Sequence, residues 1–400
     1  MSARAGGDPV SAAGPSRSGA GVLVIGAGLV GTACAWLLCR RGHAVRLIDA
    51  RGAREAPAAD DPRRSCGSEA ALGVLMAGVS QRSRGRAWRL RQQSLLLWQR
   101  WRQELSERGR PLPWRPGLLL LAASDSELMQ QQALLRDPHR IPGNLERLDR
   151  DQLERLWPPL PRAALGGLLS HADGQLDPIA TLQALRADAE AAGLEHHRGW
   201  VERLERGAGG WQVLLGSGER LSAGRVVISA GLGSTALIPP GLALIPPPAP
   251  LEPVLGQALE LTLAPQDRNE AGAAGEPSAL NWPAAVVWRG INLIPRPAAA
   301  AAEPGLWLGA TLEPGCTASA PALARLRHLA GDAPDWLLRA RERRRWQGLR
   351  ARPAGQPAPL LQDLGDGLLL AAGHYRNGVL LAPASAAWIC ARLEADRDML

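Results

Sequence analysis

The stretch from Val22 to Asp49, VLVIGAGLVGTACAWLLCRRGHAVRLID, constrains the fold more than any other part of the chain. Val22–Ile25 is a short apolar run, as a buried parallel strand requires. Gly26, Gly28 and Gly31 follow in G-x-G-x-x-G spacing. Gly26 permits a sharp turn out of the strand, Gly28 lets a pyrophosphate approach the backbone, and Gly31 lets the next helix pack close to the sheet. That helix is expected to run to about Arg41 and to stop at Gly42. A second strand, Ala44–Ile48, ends in Asp49, where an acidic residue takes the ribose hydroxyls. The helix N-terminus adds free N–H groups and a partial positive charge for the phosphates. Strand, helix, stop, second strand and terminal acid stand in register, so the stretch points to a dinucleotide site in a Rossmann-type α/β domain. Arg51 follows closely, and the sequence leaves open whether it bridges to a cofactor phosphate or lies in solvent. Asp49 would repel the 2′-phosphate of NADP.

The remaining chain is long enough, at 400 residues, for a second domain with its own core. The formal net charge is +8, yet all 46 basic residues are arginine, and Phe is absent. Such lopsided usage reads as coding bias rather than selection for a polyanionic partner. The densest cluster, Arg339–Arg345 (RARERRR), is expected to be a solvated helix face, and no nucleic-acid partner is expected. No run reads as long, uncharged and apolar enough to span a bilayer, so no stable membrane insertion is expected. Five scattered cysteines without a C-x-x-C pair argue against a disulfide frame or a zinc site, and the pair His196-His197 points to opposite faces of a strand, so no metal role is expected. These features fit a cytoplasmic protein. Met1–Ala20 lacks the apolar stretch of a signal peptide and reads as a disordered tail.

Beyond Asp49, the small apolar stretch Cys66–Met76 is suited to lie against a flat ring, or to be a buried loop leading to a strand. Helices are expected over Trp88–Arg108, Ser124–Leu135 and Asp149–Leu156, with Ser124 and Asp149 as N-caps. Another is expected from Asp177-Pro178 to Ala192. Gly167–His171 reads as extended and Asp173-Gly174 as a turn. Glu195–Leu204, Trp211–Leu215 and Glu219–Leu221 resemble a β-meander, and Arg225–Ser229 a buried strand running into Ala230-Gly231. After the Pro-rich stretch Ile238–Pro253, strands are expected over Val254–Leu261, Ala285–Trp288, Ile291–Pro295 and Leu306–Ala310, with loop insertions over Gln266–Ser278 and Ala298–Glu303. Helices are expected over Ala320–Leu329 and Ala333–Arg345. A strand, Leu368–Ala372, then leads through Gly373–Gly378 into a last helix. The expected organisation is a disordered tail (1–20), a Rossmann-type dinucleotide-binding domain in three segments (21–85, 166–236, 346–400) and a mixed-sheet α+β substrate domain in two (86–165, 237–345).

In this arrangement the chain resembles the D-amino-acid-oxidase superfamily of FAD enzymes, and most of all the glycine oxidases of thiamine synthesis. The resemblance is carried by Gly367–Ala386 (GLLLAAGHYRNGVLLAPASA), by Trp346-x-Gly-Leu-Arg350, and by Leu176-Asp-Pro178, Leu255-Gly-Gln257, Leu293-Ile-Pro-Arg296 and Gly309-Ala-Thr311 in order. It implies FAD as the cofactor. It implies that Arg350 pairs with the substrate carboxylate, a task that suits a planar guanidinium able to fork onto it. Arg376 is implied to lie near flavin and substrate, and Gly373, His374, Asn377 and Gly378 around the flavin carbonyls. Gly73, Val74 and Leu75 are implied along the other edge of the ring, Val201 at the adenine, and Ala230-Gly231 at a second FAD contact. One departure stands out. Where these oxidases often place a tyrosine before the Ile-Pro-Arg strand, this chain has Asn292, a shorter hydrogen-bond donor.

The resemblance thus implies oxidative deamination of glycine or a small (D-)amino acid by hydride transfer to flavin. Molecular oxygen is the expected acceptor, peroxide a product, and thiazole assembly for thiamine a destination. A homo-oligomer is compatible with it, and a fused thiazole synthase is not expected. Two alternatives stay open at this point: a D-amino-acid dehydrogenase that passes electrons to a quinone, and a non-catalytic FAD-binding protein.

Overall fold

A computed structural model describes residues 21–58, 60–242, 246–268, 281–296 and 303–395. The expected tail over 1–20 and most of the expected insertions over 266–278 and 298–303 lie outside the described residues. Two large sheets organise the rest. The first has six strands in the order Leu360–Asp363, Leu368–Ala372, Arg225–Ile228, Val22–Ile25, Val45–Asp49, Glu195–Arg198. All its pairings are parallel except the one between its two most C-terminal strands. Val22–Ile25 lies at its centre and is buried on both faces, as its unbroken apolar run requires. Alternation along the strand splits that burial. Val22 and Val24 join the core formed with the helices Leu29–Arg40, Pro178–Ala191 and Gly378–Ala395, whereas Leu23 and Ile25 face a three-stranded antiparallel sheet.

The second large sheet has ten strands. Its main path runs Glu313–Pro314, Leu251–Thr262, Gly305–Gly309, Ile291–Arg296, Ala285–Trp288, Trp114–Ala122, Gly166–Leu176, Val74–Leu75. The strand Arg341–Pro353 pairs antiparallel with Leu251–Thr262, placing Arg350 opposite Val254 and Leu349 opposite Leu255. This sheet takes strands from the N-terminal, middle and C-terminal parts of the chain. The sequence boundary at 345/346 lies inside Arg341–Pro353, and that at 165/166 lies just before Gly166–Leu176.

Three expectations change. Arg339–Arg345 is not a helix face: a short helix, Asp335–Arg339, gives way to the strand Arg341–Pro353. Pairing with Leu251–Thr262 outweighs the local helical propensity. The exposed arginines find acids across the sheet and nearby, as in Arg344–Glu260 at 3.1 Å and Arg345–Glu342 at 3.1 Å. Asp173-Gly174 is not a turn but lies within the strand Gly166–Leu176, because the Asp173 side chain is satisfied by neighbouring backbone rather than by its own turn. Finally, Glu195–Leu204 divides at Gly199-Trp200: Glu195–Arg198 extends the parallel sheet and Val201–Gly207 begins the three-stranded one.

The helix Leu29–Arg40 ends one residue before the expected Arg41, and Arg86–Glu107, Asp125–Leu135 and Arg150–Glu154 lie where helices were expected. Ser124 accepts the N–H of Glu127, and Asp149 forms a capping box with Gln152. Among the described residues one helix, Gly378–Ala395, has the length and mean hydropathy (1.2) of a membrane span, contrary to the expectation of none. Its apolar residues, from Val379 to Leu393, are packed in the protein core.

Candidate active site

A cavity of about 980 Å³ runs between the parallel sheet and the large mixed sheet, at the upper end of what small-molecule sites occupy. One end is built by the glycine motif. Gly26 has φ +103°, and a Cβ there would lie 2.3 Å from the Ser229 carbonyl oxygen, so only glycine makes this turn. A Cβ on Gly31 would lie 1.9 Å from the Gly26 carbonyl oxygen; Gly31 therefore seats the helix and does not line the cavity. Gly28 differs from both. It borders the cavity, and within 4 Å of its Cβ position stands only the Ser68 hydroxyl, at 3.3 Å. Its missing side chain leaves the space a pyrophosphate needs at the start of the helix. Ser68 also accepts the N–H of Leu29 at 2.9 Å, so that one helix-start donor is already engaged, a contact the sequence did not announce.

Asp49 borders the same end of the cavity. Burial alone would raise its carboxyl pKa, but the side chain and backbone of Arg51 donate to it and their combined pull holds it below the usual range. Arg51 is thereby placed: it forks onto Asp49 and reaches Glu69 at 2.8 Å rather than standing free. Asp49 stays ionised, an acceptor for ribose hydroxyls. Val201, Ala230 and Gly231 also line this region, Val201 at the start of a strand and Gly231 in a 3₁₀ turn just after Arg225–Ile228.

Along the middle, Gly73 and Val74 line the cavity. Gly73 has φ +77°, and a Cβ there would lie 1.8 Å from the Leu176 carbonyl oxygen. Leu75 does not line it. Strand alternation turns Leu75 into the helix core while Val74 faces the cavity, so the expected flavin contact of Leu75 is corrected. Asp173 pins the segment that follows, accepting the N–H groups of Ala77 (2.8 Å), Gly78 (2.9 Å) and Val79 (3.1 Å) from a fully buried position. The sequence missed it because Asp-Gly is a turn signal by itself.

At the far end, Gly373, His374, Asn377 and Gly378 line the cavity where the last helix begins. Tyr375, at φ +54°, donates its N–H to the Ala351 carbonyl at 3.1 Å and so ties this loop to the strand that carries Arg350. His374 is buried, and its Nε2 lies 2.8 Å from the Ser385 hydroxyl. Burial, helped by the charge of Arg86, pushes its pKa down to about 4, so it is neutral near pH 7 and serves to hold the loop.

Arg350 and Asn292 line this end as well. Asn292 Nδ2 donates to the Gly309 carbonyl at 3.0 Å. Arg350 Nη1 donates to the carbonyls of Leu255 (3.2 Å) and Thr311 (3.1 Å). Its guanidinium lies over Gly256, where a Cβ would sit 2.3 Å from both Nη atoms. Sequence reasoning noted Gly256 only as part of a motif; it is the floor that admits the guanidinium. Arg376 is exposed at the cavity margin. A third arginine, Arg91, borders the cavity from the helix Arg86–Glu107 and donates to the Ser80 hydroxyl at 2.7 Å. No sequence signal separated it from the other polar residues of that helix. Among the described residues no group of His, Cys, Asp and Glu is arranged to hold a metal ion.

The sequence profile of the DAO family, described as FAD dependent oxidoreductase, matches residues 21–392. The chain belongs to this family. It is 26% identical over 373 residues to the glycine oxidase of Bacillus licheniformis, covering 91% of this chain and 90% of that protein. The crystal structure of glycine oxidase from Geobacillus kaustophilus superposes with a TM-score of 0.76 at 25% identity, covering 94% of each chain. The tRNA 5-methylaminomethyl-2-thiouridine biosynthesis bifunctional protein MnmC of Cupriavidus metallidurans is 32% identical over 292 residues, 71% of this chain but only 38% of that protein. The protein is thus an FAD-dependent oxidoreductase of the glycine-oxidase type. The residues present fit the cofactor: the Gly28 gap, the ionised Asp49 and the loop 373–378 with its neutral His374 follow one another along a single cavity.

Proposed function

We propose that the enzyme oxidatively deaminates small amino acids, glycine or small D-amino acids, to the imine and then, by hydrolysis, to the oxo acid and ammonia. The observation that carries this reading is Arg350. Its guanidinium borders the cavity beside the loop 373–378, and both its protein acceptors are taken by Nη1. Among the described residues no protein acceptor meets Nε or Nη2, so that edge can fork onto a carboxylate. Asn292 and Arg376 border the same space. Bound FAD would supply the acceptor for a hydride from the substrate α-carbon and, with oxygen as the final acceptor, a route to hydrogen peroxide. The chain's part is to fix the carboxylate, to orient the α-carbon and to keep the loop rigid through neutral His374.

The resemblance to the glycine oxidases of thiamine synthesis extends the proposal to supply of a glycine-derived imine for thiazole assembly. A cytoplasmic location belongs to the same proposal and is supported by the five free cysteines. A nucleic-acid substrate has less support, because exposed arginines of 341–345 are matched with Glu260, Glu303 and Glu342. The test is anaerobic reduction of the purified yellow protein by glycine, sarcosine and D-alanine, followed by a peroxide assay in air. Reduction and bleaching at 450 nm is expected. A holoprotein that none of these amines reduces would refute the activity, and reduction without peroxide would refute the acceptor.

A further inference from the structure

The charge at the flavin end of the cavity is not balanced for a single carboxylate. Of the arginines that border the cavity, Arg51 and Arg63 are paired with acids and Arg64 is held by the Pro57 carbonyl; at the flavin end Arg91, Arg350 and Arg376 have no carboxylate partner among the described residues. The acids on the lining are Asp49, Glu55 and Glu202. Asp49 and Glu55 belong to the opposite, nucleotide end: Asp49 is held by Arg51, and Glu55 accepts the N–H of Trp200. Glu202 directly follows Val201 there. Arg350 is held by two carbonyls and Arg91 by one hydroxyl, so neutral groups fix both cations in place. Arg376 borders the same cavity from the loop 373–378. Tyr375 donates to Ala351, next to Arg350 in sequence, and Asn377 donates back to His374. Burial lowers the proton affinity of Arg91 and of Arg350, and the charge of Arg376 depresses each of them further. The groups facing Arg91 are Ser80, Arg82, Arg376 and, behind the segment 77–79, the carboxyl of Asp173. The groups facing Arg350 are Arg376, Tyr375 and the buried Glu313. Asp173 and Glu313 are fully engaged by backbone and side-chain donors and do not border the cavity.

Cations held together in a partly desolvated space are costly unless a ligand neutralises them. One carboxylate answers Arg350 and leaves two positive charges beside it. We propose that Arg91 and Arg376 form a second anion subsite next to Arg350, and that the preferred substrate is an amine carrying two carboxylates. This rests on the proposed amine oxidation at Arg350 and specifies its substrate class. The first carboxylate lies on Arg350, the amine-bearing carbon beside it, and the second carboxylate between Arg91 and Arg376.

Two measurements on the FAD-loaded protein test this. In the first, redox-inert acids are titrated and the flavin absorption spectrum is followed. Malonate and succinate are expected to bind at least ten times more tightly than acetate and propionate. In the second, kcat/KM is compared for D-aspartate and iminodiacetate against D-alanine and glycine, in wild type, Arg91→Gln, Arg91→Lys and Arg376→Gln. The preference for the two-carboxylate member is expected to fall at least tenfold in both Gln variants and to be partly restored in Arg91→Lys. Arg376 is exposed, so Arg376→Gln keeps the test valid if Arg91→Gln fails to fold. Equal binding of mono- and dicarboxylates overturns the proposal. So does an unchanged preference accompanied by a shift in flavin midpoint potential, which would assign the two arginines to the cofactor. Tight dicarboxylate binding in a protein that no amine reduces would leave the subsite standing and refute the amine oxidation.

Discussion

Replacing Arg350 with alanine separates substrate binding from folding and cofactor binding. The side chain makes no ion pair among the described residues; its partners are the carbonyls of Leu255 and Thr311. Its backbone stays in the ladder with Val254, and alanine over Gly256 introduces no overlap. The fold should therefore survive, with the two carbonyls reached by water from the cavity. What is lost is the charged half of a desolvated carboxylate contact. Hydrogen bonds to charged groups contribute about 1.5–3 kcal/mol, and truncating one partner of a buried charged pair costs about 2–5 kcal/mol. Arg350 is half-buried, so we take roughly 2–4 kcal/mol, which is about 30-fold to 700-fold in kcat/KM at 1.4 kcal/mol per decade. Arg350→Lys should recover only part, because a point charge cannot fork and its ammonium would not reach both the floor carbonyls and the ligand. The assay is steady-state kcat/KM on the best substrate, with FAD content and thermal midpoint measured on the same preparations. An Arg350→Ala protein that holds FAD and keeps wild-type kcat/KM would show that the carboxylate binds elsewhere and would refute the placement of the site.

Gly28→Val should give folded, colourless protein: Gly28 has ordinary dihedrals (φ −69°, ψ 175°), so the fold is unstrained, while the new side chain projects into the pyrophosphate space. The ratio of absorbance at 450 nm to 280 nm reads this, and full FAD occupancy in the variant would refute the assignment. His374 should make the protein acid-sensitive. Its pKa is about 4 when folded against 6.5 for the free side chain, so between these values the unfolded chain binds the extra proton and stability falls as pH drops from 6.5 to 4. The full interval corresponds to roughly 3 kcal/mol. Denaturant unfolding at pH 4.5 and 7.5 should show a smaller difference for His374→Asn than for wild type, and identical pH slopes would refute the burial argument.

What could be read in the sequence depended on whether the signal was local. The glycine motif with Asp49 was legible because each glycine has its own steric reason within a few residues, and the structure assigns those reasons to particular atoms. Ser124 and Asp149 were legible as caps, and Asp177-Pro178 as a helix start, because a cap is a contact over two or three residues. The strand Arg341–Pro353 was not. Its first half carries charge on consecutive residues, without the alternation that marks a strand, and its extended state is decided by a partner some eighty residues earlier. The same long-range pairing sets Arg350 over Gly256, so the motif was legible and its geometry was not.

Asp173 shows the limit from the other side. Asp followed by Gly satisfies a turn signal, and nothing nearby contradicts it. The residue is in mid-strand because three N–H groups at Ala77–Val79, almost a hundred positions away, need an acceptor where the large sheet meets the cavity. A strand interior with an ionisable side chain buried in it is costly unless such donors exist, so the aspartate and the bent segment 77–79 depend on each other. Arg91 follows from that dependence. It is bonded to Ser80, the residue immediately after the segment that Asp173 holds, and it is this anchored segment that aims it along the cavity wall. In the proposed subsite the position of Arg91 thus depends on a buried carboxylate that does not itself border the cavity, and loosening Asp173 would release Arg91 before it disturbed Arg350, whose supports lie towards the other end of the sheet path.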